Sequence, residues 1–220
     1  MNIALIVFAG VGSRINSPIP KQFIKIKDKE LVSYTIDTFN RSNLIDEIVL
    51  VTHKDYEQYV KEMVEKYSYN KVKRIIVGSS TRQKSVEKGL VFTNYSEDDN
   101  ILIHDGDRPL VSEDIIKRNV DALNEFKAVC TFIYHKDALD SVSNSGRKTF
   151  MAGEDVDIQT PQSFKYGLIK RLHVEYRDEE FSDDIGIAQK ELKMIAYVKG
   201  DKTNFKVTTD IDLEVFKNII

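Results

Sequence analysis

The sequence predicts an α/β fold, with a doubly wound, mostly parallel Rossmann-like sheet. Three observations carry this. Short apolar runs alternate with stretches of helical period along most of the 220 residues. The runs Ile3 to Phe8, Ile48 to Val51 and Ile101 to Ile103 are continuously apolar, as strands buried on both faces must be. The first run is followed closely by Gly10 and Gly12, the punctuation of a sharp strand exit.

Each element follows in order. After the first strand, the two glycines let the backbone turn and approach a ligand. Arg14 and Lys21 set permanent cations beside exposed N–H groups, which together make a polyphosphate site. Leu31 to Phe39 carries apolar residues at helical spacing, and Glu47 to Thr52 is the second strand. Tyr56 to Tyr67 is an amphipathic helix, Val72 to Val77 the third strand, and Ser85 to Phe92 lies in the next helix. Ile101 to Ile103 forms the fourth strand. Ser112 is a helix N-cap with Glu113 and Asp114 in the first turn, and that helix runs to about Phe126. Ala128 to Tyr134 is the fifth strand. From Lys136 to Asp157 the pattern breaks into a polar segment with a turn at Asn144-Ser145-Gly146, readable as a protruding arm between two strands. Helices resume at Phe164 to Tyr176 and near Asp183 to Gln189. A strand at Met194 to Val198 and a closing helix capped by Thr209 complete the chain, read as one domain over 1–220. Ligands in such sheets sit beyond the strand C-termini, so Ala9-Gly10, Gly78 and Asp105 are expected to converge.

Composition narrows the function. The formal net charge of -3 provides no basic field for nucleic acid. Cys130 is the only cysteine, which excludes an intramolecular disulfide and a cysteine metal cluster; in its apolar run it reads as a buried, inert thiol. No apolar run has membrane-spanning length, and the first strand leaves no room for a signal peptide, so a soluble cytoplasmic protein is expected.

Five stretches carry chemistry. The first is Ala9-Gly10-Val11-Gly12-Ser13-Arg14 with Pro20-Lys21-Gln22-Phe23. A dinucleotide fingerprint fails because Ile15 stands where a small residue is needed and Pro18 and Pro20 forbid an immediate helix; a Walker A loop fails for want of Gly-Lys-Ser/Thr. The second is Gly78-Ser79-Ser80-Thr81-Arg82-Gln83-Lys84-Ser85, where Arg82 and Ser85 offer hydrogen bonds suited to a pyrimidine edge; the stretch also fits an ordinary N-cap beside a surface arginine. The third is His104-Asp105-Gly106-Asp107-Arg108-Pro109. Asp105 at a strand tip suits Mg²⁺ on triphosphate oxygens, Gly106 would keep the path to a ribose clear, and Arg108 would hold Asp105 or Asp107. The fourth is Gln159-Thr160-Pro161-Gln162, and the fifth Asn204-Phe205-Lys206-Val207-Thr208, read as a strand with Lys206 projecting from one face.

Taken in this order, the five stretches resemble the CTP-dependent alditol-phosphate cytidylyltransferase family, whose members use 2-C-methyl-D-erythritol 4-phosphate or D-ribitol 5-phosphate. The first stretch resembles the Ala-Gly-x-Gly-x-Arg … Pro-Lys loop of sugar and alditol phosphate nucleotidyltransferases, and the resemblance runs from Ile3 to Leu213. It implies that Arg14, Lys21 and Lys206 are catalytic. It implies a CTP site formed by Phe8, Ala9, Gly10, Gly12, Ser13, Gly78, Ser79, Arg82, Ser85, Asp105 and Gly106, with Asp105 on Mg²⁺. Arg108, Thr160 and Asp183 of Ser182-Asp183-Asp184 then face the acceptor. The implied partners are CTP, an alditol phosphate and a second copy of the chain, a homodimer in which the 136–157 arm reaches across. The implied role is isoprenoid precursor or cell-surface polymer synthesis. Two departures stand out: Asp107 replaces a small residue, and Ala152 occupies the place of the acceptor-binding arginine, so Arg147 or Lys148 is expected to substitute. The other readings are a nucleotidyltransferase for another acceptor and an inactive nucleotide-binding scaffold.

Overall fold

The computed structural model describes residues 1–11, 15, 17–134 and 156–220, and the backbone of 139–143 and 146–150. The elements in chain order are β1 (Asn2–Phe8), β2 (Lys25–Ile26), β3 (Lys29–Glu30), α1 (Leu31–Arg41), β4 (Glu47–Thr52), α2 (Glu57–Lys66), β5 (Val72–Val77) and α3 (Arg82–Val91). They continue with β6 (Asn100–Asp105), α4 (Glu113–Ala122), β7 (Ala128–Tyr134), β8 (Leu139–Ser143), β9 (Gly146–Phe150), β10 (Val156–Lys165), α5 (Tyr166–Glu175), α6 (Asp184–Ala188), β11 (Ala196–Lys199) and α7 (Asp210–Ile219). A seven-stranded sheet has the order β11-β7-β10-β6-β1-β4-β5. β1 pairs in parallel with β4 and β6, β4 with β5, and β11 with β7. β10 alone runs antiparallel, between β6 and β7.

Alternate residues of the buried strands feed opposite cores. Ile3, Leu5, Val49, Val51, Ile101 and Ile103 pack under α3, α5 and α6 through Leu90, Ile169 and Ile187. Ala4, Ile6, Ile48, Leu50 and Leu102 pack under α1, α2 and α4 through Ile36, Val60 and Ile115. Covering both faces is what permits the continuous apolar runs. A third cluster, Ile26, Leu31, Val207, Leu213 and Phe216, seats α7 beside the β2–β3 hairpin. The caps match expectation: Ser112 accepts from Ile115 N, and Thr209 with Asp212 forms a reciprocal capping box.

The structure corrects three sequence expectations. Phe164 belongs to β10, and the helix there starts at Tyr166. β10 escapes a periodicity reading because Gln159, Thr160, Gln162 and Ser163 are buried polar residues, with a bulge at Thr160-Pro161 where a proline is tolerated. α4 ends at Ala122 and not near Phe126, because Asn124 N turns to Asp121 O in a tighter closing turn. Lys206 lies on an irregular segment, not a strand. Within the 136–157 segment the backbone forms the antiparallel ribbon β8–β9, and its last two residues, Val156 and Asp157, already belong to β10.

Candidate active site

β1 is flanked by β6 on one side and β4 on the other, so the chain switches direction beside β1, and a crevice opens at the C-terminal ends. A cavity of about 430 Å³ lies there, lined among others by Phe8, Ala9, Gly10, Ser79, Arg82 and Asp105. The three strand ends therefore do converge. Their closeness explains Gly78: a Cβ there would lie 2.4 Å from Ala9 Cβ and 2.9 Å from Ser85 Oγ. Gly106 also needs its missing side chain, but for packing. A Cβ would lie 2.9 Å from Phe8 Cβ and 3.1 Å from Val32, so the expected open path to a ribose is not what this glycine provides. Gly12, Ser13, Arg14 and Ala152 lie outside the described residues, as do the side chains of Arg147 and Lys148.

Pro20-Lys21-Gln22-Phe23 contributes a 3₁₀ turn, Lys21–Phe23, that holds the glycine loop from behind. Gln22 Nε2 donates to Phe8 O at 2.9 Å and Gly10 O at 2.7 Å, and the residue is buried. The sequence placed Gln22 in a motif without revealing this role. Lys21 Nζ donates to Val207 O at 2.7 Å and pairs with Asp107 Oδ2 at 2.6 Å. In the second loop, Ser85 Oγ accepts from Ser79 N at 2.9 Å and donates to Thr81 O at 2.8 Å. Its only proton is thus committed to shaping the loop, leaving one lone pair toward a ligand.

Arg82 anchors a buried ionic chain. Its Nε meets Asp105 Oδ1 and its Nη1 meets Asp184 Oδ2, each at 2.8 Å. Asp184 Oδ1 in turn lies 3.0 Å from His173 Nε2. Asp105 Oδ2 receives Lys206 Nζ at 3.0 Å and faces Arg108 Nε at 3.6 Å. Burial pushes the Asp105 carboxyl up, but Arg82, Lys206 and Arg108 together hold it well below the usual carboxylate range, so it stays charged. Burial likewise pushes Asp184 up, and Arg82 with His173 brings it below its ordinary value. The sequence noted Asp184 only as a motif member; its signal was adjacency to Asp183, which serves instead as the N-cap of α6.

A second recess of about 200 Å³ shares Arg82, Asp105 and Lys206 with the first and extends to Arg108, Thr160 and Asp183. Three of the expected acceptor residues therefore meet there. Thr160 Oγ1 accepts from Asp105 N at 3.1 Å and lies 3.0 Å from His104 Nδ1. His104 Nε2 faces Arg108 O at 3.2 Å, and a carbonyl only accepts, so Nε2 carries the proton and Nδ1 accepts from Thr160. Burial pushes His104 down to about 3, which keeps it neutral. Asn204 steadies the segment bearing Lys206, donating to Thr160 O at 2.9 Å while its own carbonyl takes Arg108 Nη1. This tether was not visible in the sequence. Two recesses meeting at a lysine and a carboxylate suit a transfer between two substrates across a shared charged wall.

Comparison with known proteins agrees in kind. Residues 2–220 match the family described as IspD, 2-C-methyl-D-erythritol 4-phosphate cytidylyltransferase. A protein of that name from Thermosipho melanesiensis is 35% identical over 217 residues, covering 97% of this chain and 95% of the relative. One from Clostridium kluyveri is 38% identical, covering 99% and 96%. The crystal structure of 4-diphosphocytidyl-2C-methyl-D-erythritol synthase from Anaerococcus prevotii superposes with a TM-score of 0.85 at 32% identity, covering 99% of this chain and 94% of that one. With the full-length match, these likenesses show that the chain belongs to the 2-C-methyl-D-erythritol 4-phosphate cytidylyltransferase family.

Proposed function

We propose that the chain transfers the cytidylyl group of CTP to 2-C-methyl-D-erythritol 4-phosphate, releasing pyrophosphate and forming 4-diphosphocytidyl-2-C-methyl-D-erythritol, a step toward isoprenoid precursors. The carrying observation is the pair of recesses that share Lys206, Asp105 and Arg82 at the strand switch point. The acceptor phosphate oxygen attacks the α-phosphorus in line as the bond to pyrophosphate breaks. That oxygen already bears charge, so no general base is needed; catalysis is positioning plus neutralisation of developing charge. Arg14 and Lys21 hold the triphosphate, with the glycine loop of Phe8, Ala9, Gly10, Gly12 and Ser13 around it. Lys206 stands between the two substrates. Each such cation contributes about 3–4 kcal/mol, as a lost transition-state donor does. Gly78, Ser79, Arg82 and Ser85 border the base, and Arg108, Thr160 and Asp183 border the acceptor, with Arg147 and Lys148 completing its phosphate site from the arm of a second copy in a homodimer.

Mg²⁺ fits as a companion of the triphosphate. Among the described residues no group of His, Cys, Asp or Glu forms a protein cage, whereas Mg²⁺ is commonly held by one or two carboxylates plus substrate phosphates. Asp105, charged and facing the cavity, is the carboxylate that would hold it, and the ion would neutralise phosphate charge. No described helix is long and apolar enough to cross a membrane.

The test is pyrophosphate release with product mass spectrometry, using CTP, ATP and GTP against 2-C-methyl-D-erythritol 4-phosphate and D-ribitol 5-phosphate. The expected product arises only with CTP and the methylerythritol phosphate. Comparable turnover with ATP, or CTP binding without pyrophosphate release, would refute the reading.

A further inference from the structure

Asp107 stands where the family resemblance leads one to expect a small residue, and its carboxylate closes on a cation that the proposed function needs. Asp107 Oδ2 lies 2.6 Å from Lys21 Nζ, and Oδ1 lies 3.8 Å from Lys206 Nζ. Both partners of the closer pair are nearly shielded, with side chains 10% and 12% exposed, and both line the larger cavity. The arrangement is braced by the backbone. Val207 N donates to Asp107 O at 2.8 Å, and Lys21 Nζ donates to Val207 O at 2.7 Å. Lys21, Asp107 and Val207 thus form a closed ring at the cavity wall. A polyanion entering here competes with Asp107 for the Lys21 charge, and once bound it lies beside a carboxylate of like sign.

We propose that Asp107 is a positioning residue of the reaction cycle. It fixes the Lys21 ammonium in the empty site, yields it to the triphosphate, and reclaims it as pyrophosphate departs. The inference rests on reading the larger cavity as the triphosphate site. Two effects follow from one charge. A long, flexible side chain is held in place before substrate arrives, which lowers the ordering entropy lost on binding. The neighbouring negative charge also weakens retention of the polyphosphate product.

Asp107→Asn keeps the shape and an acceptor for Lys21 but removes the charge. Titration calorimetry with pyrophosphate is expected to show Kd falling about tenfold, a modest share of what close charge pairs carry. The CTP KM falls in the same sense, while kcat drops as product release slows. Asp107→Glu, which keeps the charge, returns pyrophosphate affinity toward wild type. In a Lys21→Ala background the tightening from Asp107→Asn disappears for the most part, because the competing partner is gone. A merely structural Asp107 would weaken binding on substitution. If wild-type protein uses CTP but Asp107→Asn binds pyrophosphate no more tightly, the inference is overturned. A raised CTP KM with a raised Mg²⁺ requirement would overturn it too, making the carboxylate a metal ligand instead. Wild-type protein that neither binds pyrophosphate nor uses CTP would remove the functional reading itself.

Discussion

Replacing Asp184 with alanine tests whether the buried ionic chain behind the cavity holds the site together. The substitution removes partners at 2.8 Å from Arg82 Nη1 and 3.0 Å from His173 Nε2. Asp184 is 1% exposed, and among the described residues His173 Nδ1 and Arg82 Nη2 find no hydrogen-bond partner, so the stranded His173 has no ready substitute and Arg82 keeps only Asp105. Removing one member of a buried pair destabilises by about 3–5 kcal/mol. The lower end applies here, about 3 kcal/mol, because Arg82 keeps 27% of its side-chain surface toward the cavity and retains Asp105 at 2.8 Å. For a chain of this size that lowers Tm by roughly 6–12 °C. Denaturant and thermal unfolding followed by circular dichroism read both quantities. The carboxyl also leaves a pH signature. Its folded-state value lies below the ordinary 3.8, so its contribution is complete above that pH and is lost as pH falls through the lower folded value. Wild-type protein should therefore lose stability more steeply than Asp184→Asn on acidification below about pH 4. A loss under about 1 kcal/mol in Asp184→Ala, the scale of an exposed pair, would refute the claim that this chain is a structural anchor.

Two further substitutions probe the cavity wall. Gly78→Ala places a methyl group 2.4 Å from Ala9 Cβ and should cost about 1–3 kcal/mol by overpacking while raising the CTP KM; unchanged stability and KM would mean the two loops part freely. Lys21→Ala and Lys206→Ala should each lower kcat/KM by roughly 10²–10³, as loss of a transition-state cation does; Lys21→Ala should also lower the unfolding midpoint, because it strands the shielded Asp107 carboxylate. A near-normal rate in either variant, measured with both substrates, removes that lysine from the mechanism.

Much of this protein was determined by the sequence alone. β4, β5 and β7 match their expected bounds residue for residue, because each carries a local apolar run; β4 is buried almost throughout, while β5 is an edge strand that exposes Lys73 and Arg74. The caps at Ser112 and Thr209 and the convergence of strand ends were equally legible, since each depends on residues a turn apart or on the parallel topology. Other features were decided only by the tertiary structure. The β2–β3 hairpin turns through Lys27 and Asp28, both at positive φ, without the Asn-Gly or Asp-Gly pair that marks such turns. β10 fills a central place with polar side chains whose partners come from elsewhere: Gln162 Oε1 accepts from Asp184 N and Ile185 N, and Ser163 Oγ donates to Asn119 Oδ1. The sequence singled out Asp107 as unusual, but only the fold brings it to Lys21. The physical reason is the same in each case. Periodicity reports where apolar surface is buried, whereas a buried polar or charged group is stable only beside its partner, and that partner is chosen by contacts distant along the chain.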